Sequence, residues 1–180
     1  MFVLIKISST FAKLNSKVNS ELKLSLILLE EYEKVNFYSF QFENETHTEF
    51  EKFLMSFRES HPADIGTIMY RLERITEDGV FERHYRYAGK VKDRTVELPS
   101  HLDSANLRLY CICISPKILI LGNGGLKTTR TYNEDIYLNK CVETLQKIDF
   151  ELKTKEKTFK IYIIDKNING DLSLSIYDEK

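Results

Sequence analysis

The spacing of apolar residues predicts two amphipathic helices in the first half of the chain. Residues 46–49 (Thr-His-Thr-Glu) have the spacing of a capping box, and the apolar residues that follow recur at i, i+3, i+4 and i+7. A second helix is expected from Pro62, which suits a first helical turn, to Gly79, which suits a C-terminus. We expect one hydrophobic core to hold apolar residues of both helices and of later elements: Phe50, Phe53, Phe57, Ile68, Met69, Leu72, Leu109, Ile120 and Leu145.

Strands are predicted before and after this pair of helices. The FYSFQF run before the first helix has a β-rich composition, and beyond the second helix the apolar period changes to two. We predict a strand over Phe81–Tyr87, a short partner over Arg94–Leu98, and a central hairpin of Leu107–Ile114 with Lys117–Leu121. A last helix is expected after Asn133, at the edge or end of the sheet. The order of elements therefore predicts an α+β fold in which two N-terminal helices pack on an antiparallel sheet.

The two ends of the chain are less regular. Residues 22–28 (LKLSLIL) fit a strand or a helix, and the alternation favours the strand. Thr158–Asp165 and Leu172–Tyr177 are predicted to form a terminal hairpin with a turn at 169–170. The lysine-alternating stretch 153–157 is expected to be a solvated connector between the last helix and this hairpin.

Length and composition narrow the class of protein. A chain of 180 residues with 42% hydrophobic residues is expected to fold around a single core. No apolar run approaches the roughly 18 residues that a membrane span needs, so no membrane association is expected. Three cysteines are too few for a disulfide framework, which fits a reducing compartment. We therefore expect a cytoplasmic protein.

The distribution of cations suggests a local anion site. The net charge of −1 excludes the broad positive field of a non-specific nucleic-acid binder. However, seven of the eight arginines lie between positions 71 and 130, and the guanidinium group suits phosphate. Residues 104–133 contain no acidic residue and four cations: Arg108, Lys117, Lys127 and Arg130.

Several short motifs leave alternatives open. The glycine-rich residues 122–125 do not have P-loop spacing, so they are either a wide turn or a flexible backbone that brings Lys127 and Arg130 near a phosphate. Cys111 and Cys113 are interpreted as core residues, because no second pair completes a metal site. His84 is either a solvated strand residue or a proton acceptor. No cofactor motif is present, and we expect neither a cofactor nor a metal.

The central region also carries a family pattern. Residues 107–110 (Leu-Arg-Leu-Tyr) are followed by a hairpin, an Ile-Leu-Ile-Leu run, a glycine turn and Lys127-Thr128. Together with the order of elements, this pattern resembles the RelE/ParE superfamily of toxin–antitoxin systems, and in particular its HigB-like branch. The resemblance covers about residues 37–150. It implies a RelE-like core at 37–150, an N-terminal extension at 1–36 and a C-terminal hairpin extension at 151–180.

The resemblance implies an endoribonuclease that cuts messenger RNA on the ribosome and is neutralised by a cognate antitoxin protein. A ParE-type inhibitor of gyrase and a non-catalytic binding module are the alternatives that the same fold allows. The resemblance implies the following catalytic candidates: Arg108, Lys127, Arg130, Tyr132 and His84. The strand rich in tyrosine and arginine is either an ordinary edge strand or a surface that contacts RNA. The RNA contacts would come from Arg83, Arg86, Tyr85 and Tyr87.

Overall fold

The computed structural model describes residues 20–89, 93–99 and 106–178. Most of the predicted N-terminal extension, residues 1–19, therefore lies outside the described residues. The elements in chain order are β1 (Ser20–Glu31), β2 (Asn36–Phe42), α1 (Glu49–Phe57), α2 (Pro62–Asp78), β3 (Arg86–Tyr87), β4 (Thr95–Leu98), β5 (Leu107–Ser115), β6 (Ile118–Leu126), a 3-10 turn (Tyr132–Glu134), α3 (Ile136–Lys157), β7 (Ile161–Ile164), β8 (Asn167–Gly170) and β9 (Ser173–Asp178).

Seven strands form one mixed sheet in the order β3-β4-β5-β6-β2-β1-β9. Neighbouring strands are antiparallel except β2 and β6, which are parallel. Residues of α1 and α2 pack on one face of the sheet, and α3 packs on the other. The remaining strands, β7 and β8, form a separate two-stranded hairpin.

Both predicted N-terminal helices are present. Thr48 caps α1 and forms a capping box with Glu51, two residues later than the spacing suggested. Pro62 opens α2, and Gly79 ends it with a φ of 93°, a conformation that favours glycine. These helix boundaries follow from local chemistry, which explains why the sequence predicted them well.

The expectation of one shared core is wrong, because the sheet separates two cores. Phe53 of α1 packs in one core with Leu109, whereas Leu145 of α3 packs in the other with Ile120. Met69 is 43% exposed and belongs to neither core. Successive strand residues point to opposite faces, and both faces are covered here, so the central strands are apolar on both sides.

The strand predictions in the middle of the chain are partly confirmed. Strands β4, β5 and β6 form as expected, but residues 81–85 form a turn and only Arg86–Tyr87 is a strand. The glycine-rich residues 122–125 belong to β6 and are not a loop. A Cβ atom at Gly124 would stand 1.8 Å from the carbonyl oxygen of Arg108, so glycine is needed for the close approach of β5.

The C-terminal prediction is wrong in its pairing. Helix α3 continues through the expected connector to Lys157, and the buried ammonium group of Lys155 lies 2.6 Å from Asp171 Oδ2. The predicted terminal hairpin does not form: β7 pairs with β8, while β9 pairs with β1 at the edge of the main sheet. Helix α3 covers a face of the sheet and does not lie at its edge or end.

The α+β class is confirmed, but the finer arrangement differs. Two strands, β1 and β2, precede the helix pair, and the parallel pair β2–β6 makes the sheet mixed. The expected division at 36/37 falls at the start of β2, and the division at 150/151 falls inside α3. No helix among the residues that the structure describes is long and apolar enough to cross a membrane.

Candidate functional site

Three cationic side chains converge on the carboxylate of Glu97 in β4. The Glu97 side chain is 2% exposed and accepts a hydrogen bond from Arg86 Nε on β3. Arg108 Nε on β5 lies 3.8 Å from Glu97 Oε1, and Lys127 Nζ, just after β6, lies 3.6 Å from the same atom. We call Arg86, Glu97, Arg108 and Lys127 the Glu97 cluster.

The register of the sheet builds this cluster. Arg86 pairs with Glu97 across β3 and β4, and Glu97 pairs with Tyr110 across β4 and β5, so all three side chains share one face. Arg108 precedes Tyr110 by two residues and therefore lies on that face too. The Lys127 N–H donates to the carbonyl of Asn106, which holds the end of β6 beside the start of β5. Because Tyr110 packs in the core under α3, the cluster lies on the α3 face.

Three cations share one carboxylate, so the Glu97 cluster is positively charged. The exposed fraction of the side chain is 35% for Arg86, 12% for Arg108 and 14% for Lys127. Burial lowers the pKa of Arg108, while the negative charge of Glu97 opposes that change. A positively charged, partly enclosed cluster of this kind attracts an anion.

Two tyrosines flank the Glu97 cluster. The ring centroids of Tyr110 and Tyr132 lie 6.2 Å apart in an edge-to-face contact. Burial, together with nearby carboxylates, raises the pKa of both hydroxyl groups, so both are protonated at neutral pH. Tyr132 is partly exposed and stands in the 3-10 turn before α3. The site therefore offers neutral O–H donors beside its cations.

The structure brings together only some of the residues singled out in the sequence. Arg86, Arg108, Lys127 and Tyr132 lie in or beside the cluster, whereas Arg130 is exposed on the segment that follows β6. The other candidates lie elsewhere, at the end of α2 or in the core under α1 and α2: Arg83, His84, Tyr85 and Tyr87.

His84 lies against the C-terminal end of α2 and is only 1% exposed, unlike the solvated strand residue that was one expectation. Neither ring nitrogen makes a hydrogen bond, and Nε2 lies 3.6 Å from the Asp78 carboxylate. Burial lowers the pKa of His84, with Arg83, Arg71 and Arg74 acting in the same direction and Asp78 opposing them. We call these five residues the His84 cluster.

Glu97 was not among the residues that the sequence analysis singled out. It stands in the four-residue strand Thr95–Leu98, all of whose residues are buried. An acidic residue inside such a short buried strand is unusual, since a buried charge requires partners. That mismatch is the only signal that could have drawn attention to Glu97, and it does not say which cations face it.

The cysteines behave as core residues. Cys111 is fully buried, and burial raises the pKa of its thiol and raises that of Cys113 to about 11. Both thiols are therefore protonated and unreactive at neutral pH. Within residues 20–89, 93–99 and 106–178 there is no group of three or more His, Cys, Asp or Glu side chains arranged to hold a metal ion.

Comparison with known proteins gives no assignment: no family model, no curated protein and no solved structure matches the chain. The function is therefore inferred from the geometry and charge of the Glu97 cluster.

Proposed function

We propose that this protein is an endoribonuclease that cuts messenger RNA at the Glu97 cluster, as the toxin of a toxin–antitoxin pair. The observation that carries the proposal is the convergence of three cations, from three parts of the sheet, on one buried carboxylate. Such a site combines charge stabilisation for a phosphate with a group that can accept a proton.

In this proposal the RNA phosphate competes with Glu97 for the cations. Arg86 is the most exposed of the three cations and is hydrogen-bonded to the carboxylate, so it separates Glu97 from solvent. A phosphate that draws Arg86 outward uncovers Glu97. Arg108, whose Nη1 donates to the carbonyl oxygen of Leu107, and Lys127 lie 3.8 Å and 3.6 Å from Glu97 Oε1, so a phosphate beside Glu97 is within reach of both charges.

The chemistry uses the 2′-hydroxyl of the RNA as nucleophile. This hydroxyl gives its proton to Glu97 while its oxygen bonds to phosphorus, and the bond from phosphorus to the 5′-oxygen breaks. Arg108 and Lys127 stabilise the charge that develops on the phosphate oxygens. The departing 5′-oxygen takes a proton from Tyr132. Glu97 then releases its proton to water and Tyr132 takes one up from water, which restores both groups. The products end in a 2′,3′-cyclic phosphate and a 5′-hydroxyl.

The test measures RNA cleavage by the purified protein with and without ribosomes, mapping the ends of the products. We expect cleavage by the wild type, and a loss of about 100-fold or more for Lys127→Gln and for Arg108→Gln, by analogy with removal of one donor from an oxyanion site. Arg58→Gln is the matched control, because Arg58 is exposed at the end of α1, away from the cluster. Thermal unfolding of each variant separates lost activity from lost folding.

Three results would overturn the proposal, the first from the cleavage assay and the other two from induced expression of the protein in a host. Full cleavage by a folded Lys127→Gln protein would remove the cluster from the chemistry. Growth arrest with intact transcripts and DNA-damage signalling would favour a gyrase inhibitor, and absence of toxicity would favour a non-catalytic binding module. The 2% exposure of Glu97 is the observation that favours a binding module as the second candidate, since a fully covered carboxylate can be purely structural.

A further inference from the structure

A second site lies where the two parallel strands end. A cleft of about 550 Å³ opens beside the last residues of β2 and the C-terminal half of β6. It shares no lining residue with the Glu97 cluster. Its volume is within the range of small-molecule sites, which is about 300–1,000 Å³.

The position of the cleft follows from the topology of the sheet. Strands β2 and β6 are adjacent and parallel, so their carboxyl ends lie together. From β2 the chain passes to α1 on one face, and from β6 it passes to α3 on the opposite face. Because the two connections diverge, a crevice remains between them, and open sheets bind ligands at such a switch point.

One side chain joins the two sides of this crevice. Asn123 Nδ2 donates to Glu49 Oε2 of α1 at 2.8 Å, and Asn123 Oδ1 accepts from the Tyr137 hydroxyl of α3 at 3.3 Å. The backbone N–H of Gly124 also donates to Asn123 Oδ1, at 2.8 Å, which fixes the orientation of the amide. The polar groups of the cleft are therefore held in place by both helices.

The rest of the lining defines the ligand chemistry. Phe42 is partly exposed and provides an aromatic surface, and the buried Phe40 packs behind it edge to face, with ring centroids 5.8 Å apart. The acidic lining residues outnumber the basic ones, four glutamates against three lysines. One of those lysines, Lys52, is already paired with two of the glutamates, Glu45 and Glu49. The cleft is therefore apolar on one side and carries an excess of negative charge.

The protein already places one of its own cations, the ammonium group of Lys52, beside Glu49 and Phe42 in this cleft. The Lys52 ammonium group lies 2.6 Å from Glu49 Oε1 and 5.8 Å from the centroid of the Phe42 ring. Because Lys52 also pairs with Glu45, it keeps a partner if another ammonium group binds Glu49. The Glu49 side chain is 12% exposed, at the boundary between the cleft and the helix.

We propose that this cleft binds a small organic amine, whose aromatic body packs against Phe42 and whose ammonium group pairs with Glu49. The proposal is independent of RNA cleavage. The proposal also gives a role to the glycine-rich residues 122–125, which lack the spacing of a P-loop. Asn123 positions the carboxylate that receives the amine, and the flanking glycines let β5 and α3 approach the strand.

The test uses tryptamine as the probe and tryptophol, which has the same ring system but no ammonium group, as its neutral match. Protein NMR spectra of the full chain are recorded at pH 7 while each compound is added. We expect tryptamine to shift signals of the cleft residues and to bind at least tenfold more tightly than tryptophol. We expect Glu49→Gln to weaken tryptamine binding at least tenfold without changing the binding of tryptophol.

Two further variants make the result decisive. Glu59→Gln removes an exposed carboxylate outside the cleft and should leave tryptamine binding unchanged. Thr144→Phe places a ring in the cleft from α3 and should abolish binding of both compounds, which also serves if Glu49→Gln does not fold. Absence of shifts at millimolar tryptamine, equal binding of the two compounds, or undiminished binding by Thr144→Phe would each overturn the proposal.

Discussion

The Glu97 and His84 clusters each place a buried titratable group among arginines, with opposite consequences. Glu97 carries a charge opposite to that of its arginines and accepts a hydrogen bond from one of them. His84 would acquire the same charge as its arginines, and neither of its ring nitrogens is hydrogen-bonded. The comparison teaches that neighbouring arginines can act as partners of a buried carboxylate but oppose protonation of a buried imidazole.

The two groups should therefore contribute to stability in different ways. Removing the Glu97 charge leaves cations without their partner, whereas removing the His84 imidazole removes a polar group that has no hydrogen bond to lose. The two groups also differ in the function that each can serve. A carboxylate among cations can give up its partners to a phosphate, while a buried histidine among arginines responds mainly to pH.

The largest expected effect comes from Glu97→Gln. We expect the free energy of unfolding to fall by about 3 kcal/mol, because the variant leaves Arg86, Arg108 and Lys127 partly buried without the carboxylate. Urea denaturation at pH 7 measures the change, and Glu59→Gln, at an exposed position, should change it by less than about 0.5 kcal/mol. Equal values for the two variants would show that the cations do not depend on Glu97.

Replacement of the histidine should have a smaller effect. His84→Met keeps a similar volume and removes two ring nitrogens that have no hydrogen bond. We expect the free energy of unfolding to change by less than about 1.5 kcal/mol, as for other swaps that conserve volume in a core. A loss as large as that of Glu97→Gln, measured by the same urea experiment, would contradict the contrast between the two clusters.

The stability of the protein should depend on pH through His84. Burial lowers the pKa of His84 in the folded protein below its value of about 6.5 in the unfolded chain. Folding then favours the neutral ring, so this contribution is complete above pH ~6.5 and is lost as the pH falls through the folded pKa. We expect wild type and His84→Met to diverge between pH 7.5 and 5, with the wild type losing more stability. Parallel curves would contradict this assignment.

The smallest effect is expected from Arg83→Gln. Arg83 lies 2.9 Å from Asp78, and its side chain is 57% exposed. Its loss removes a positive charge near His84 and releases the Asp78 carboxylate to act on the imidazole, so the pKa of His84 should rise. An NMR titration of the His84 ring measures this shift, with Arg58→Gln as the control. An unchanged or lower pKa would show that Arg83 does not act on the histidine.

The fold was predictable where the deciding contacts are local. Helices α1 and α2 and strands β4 to β6 follow from capping residues, a helix-ending glycine and apolar periods. The partner of β9 was not predictable, because pairing with β1 joins residues more than 140 positions apart and leaves no local pattern. The length of α3 was missed because Lys155 was interpreted as solvated, while its ammonium group is buried and bound to Asp171.

The candidate site shows the same limit. The arginine-rich middle and the family-like pattern led to Arg108 and Lys127, and the structure does bring these two side chains to one carboxylate. Glu97 itself was missed, since its role depends on which residues face it across β3 and β5. His84 and Arg86 are two positions apart in sequence, yet the turn before β3 sends them to different clusters.

The pairing of β1 with β9 also affects how each copy of the protein is made. During synthesis β1 leaves the ribosome more than 140 residues before β9, the strand that covers its outer edge. Until then the edge next to Leu22, Leu24 and Leu26 has backbone groups open to pairing with another nascent chain. Translation that pauses before residue 173 would therefore leave an aggregation-prone intermediate, so the yield of native protein should depend on how quickly the codons of β9 are read.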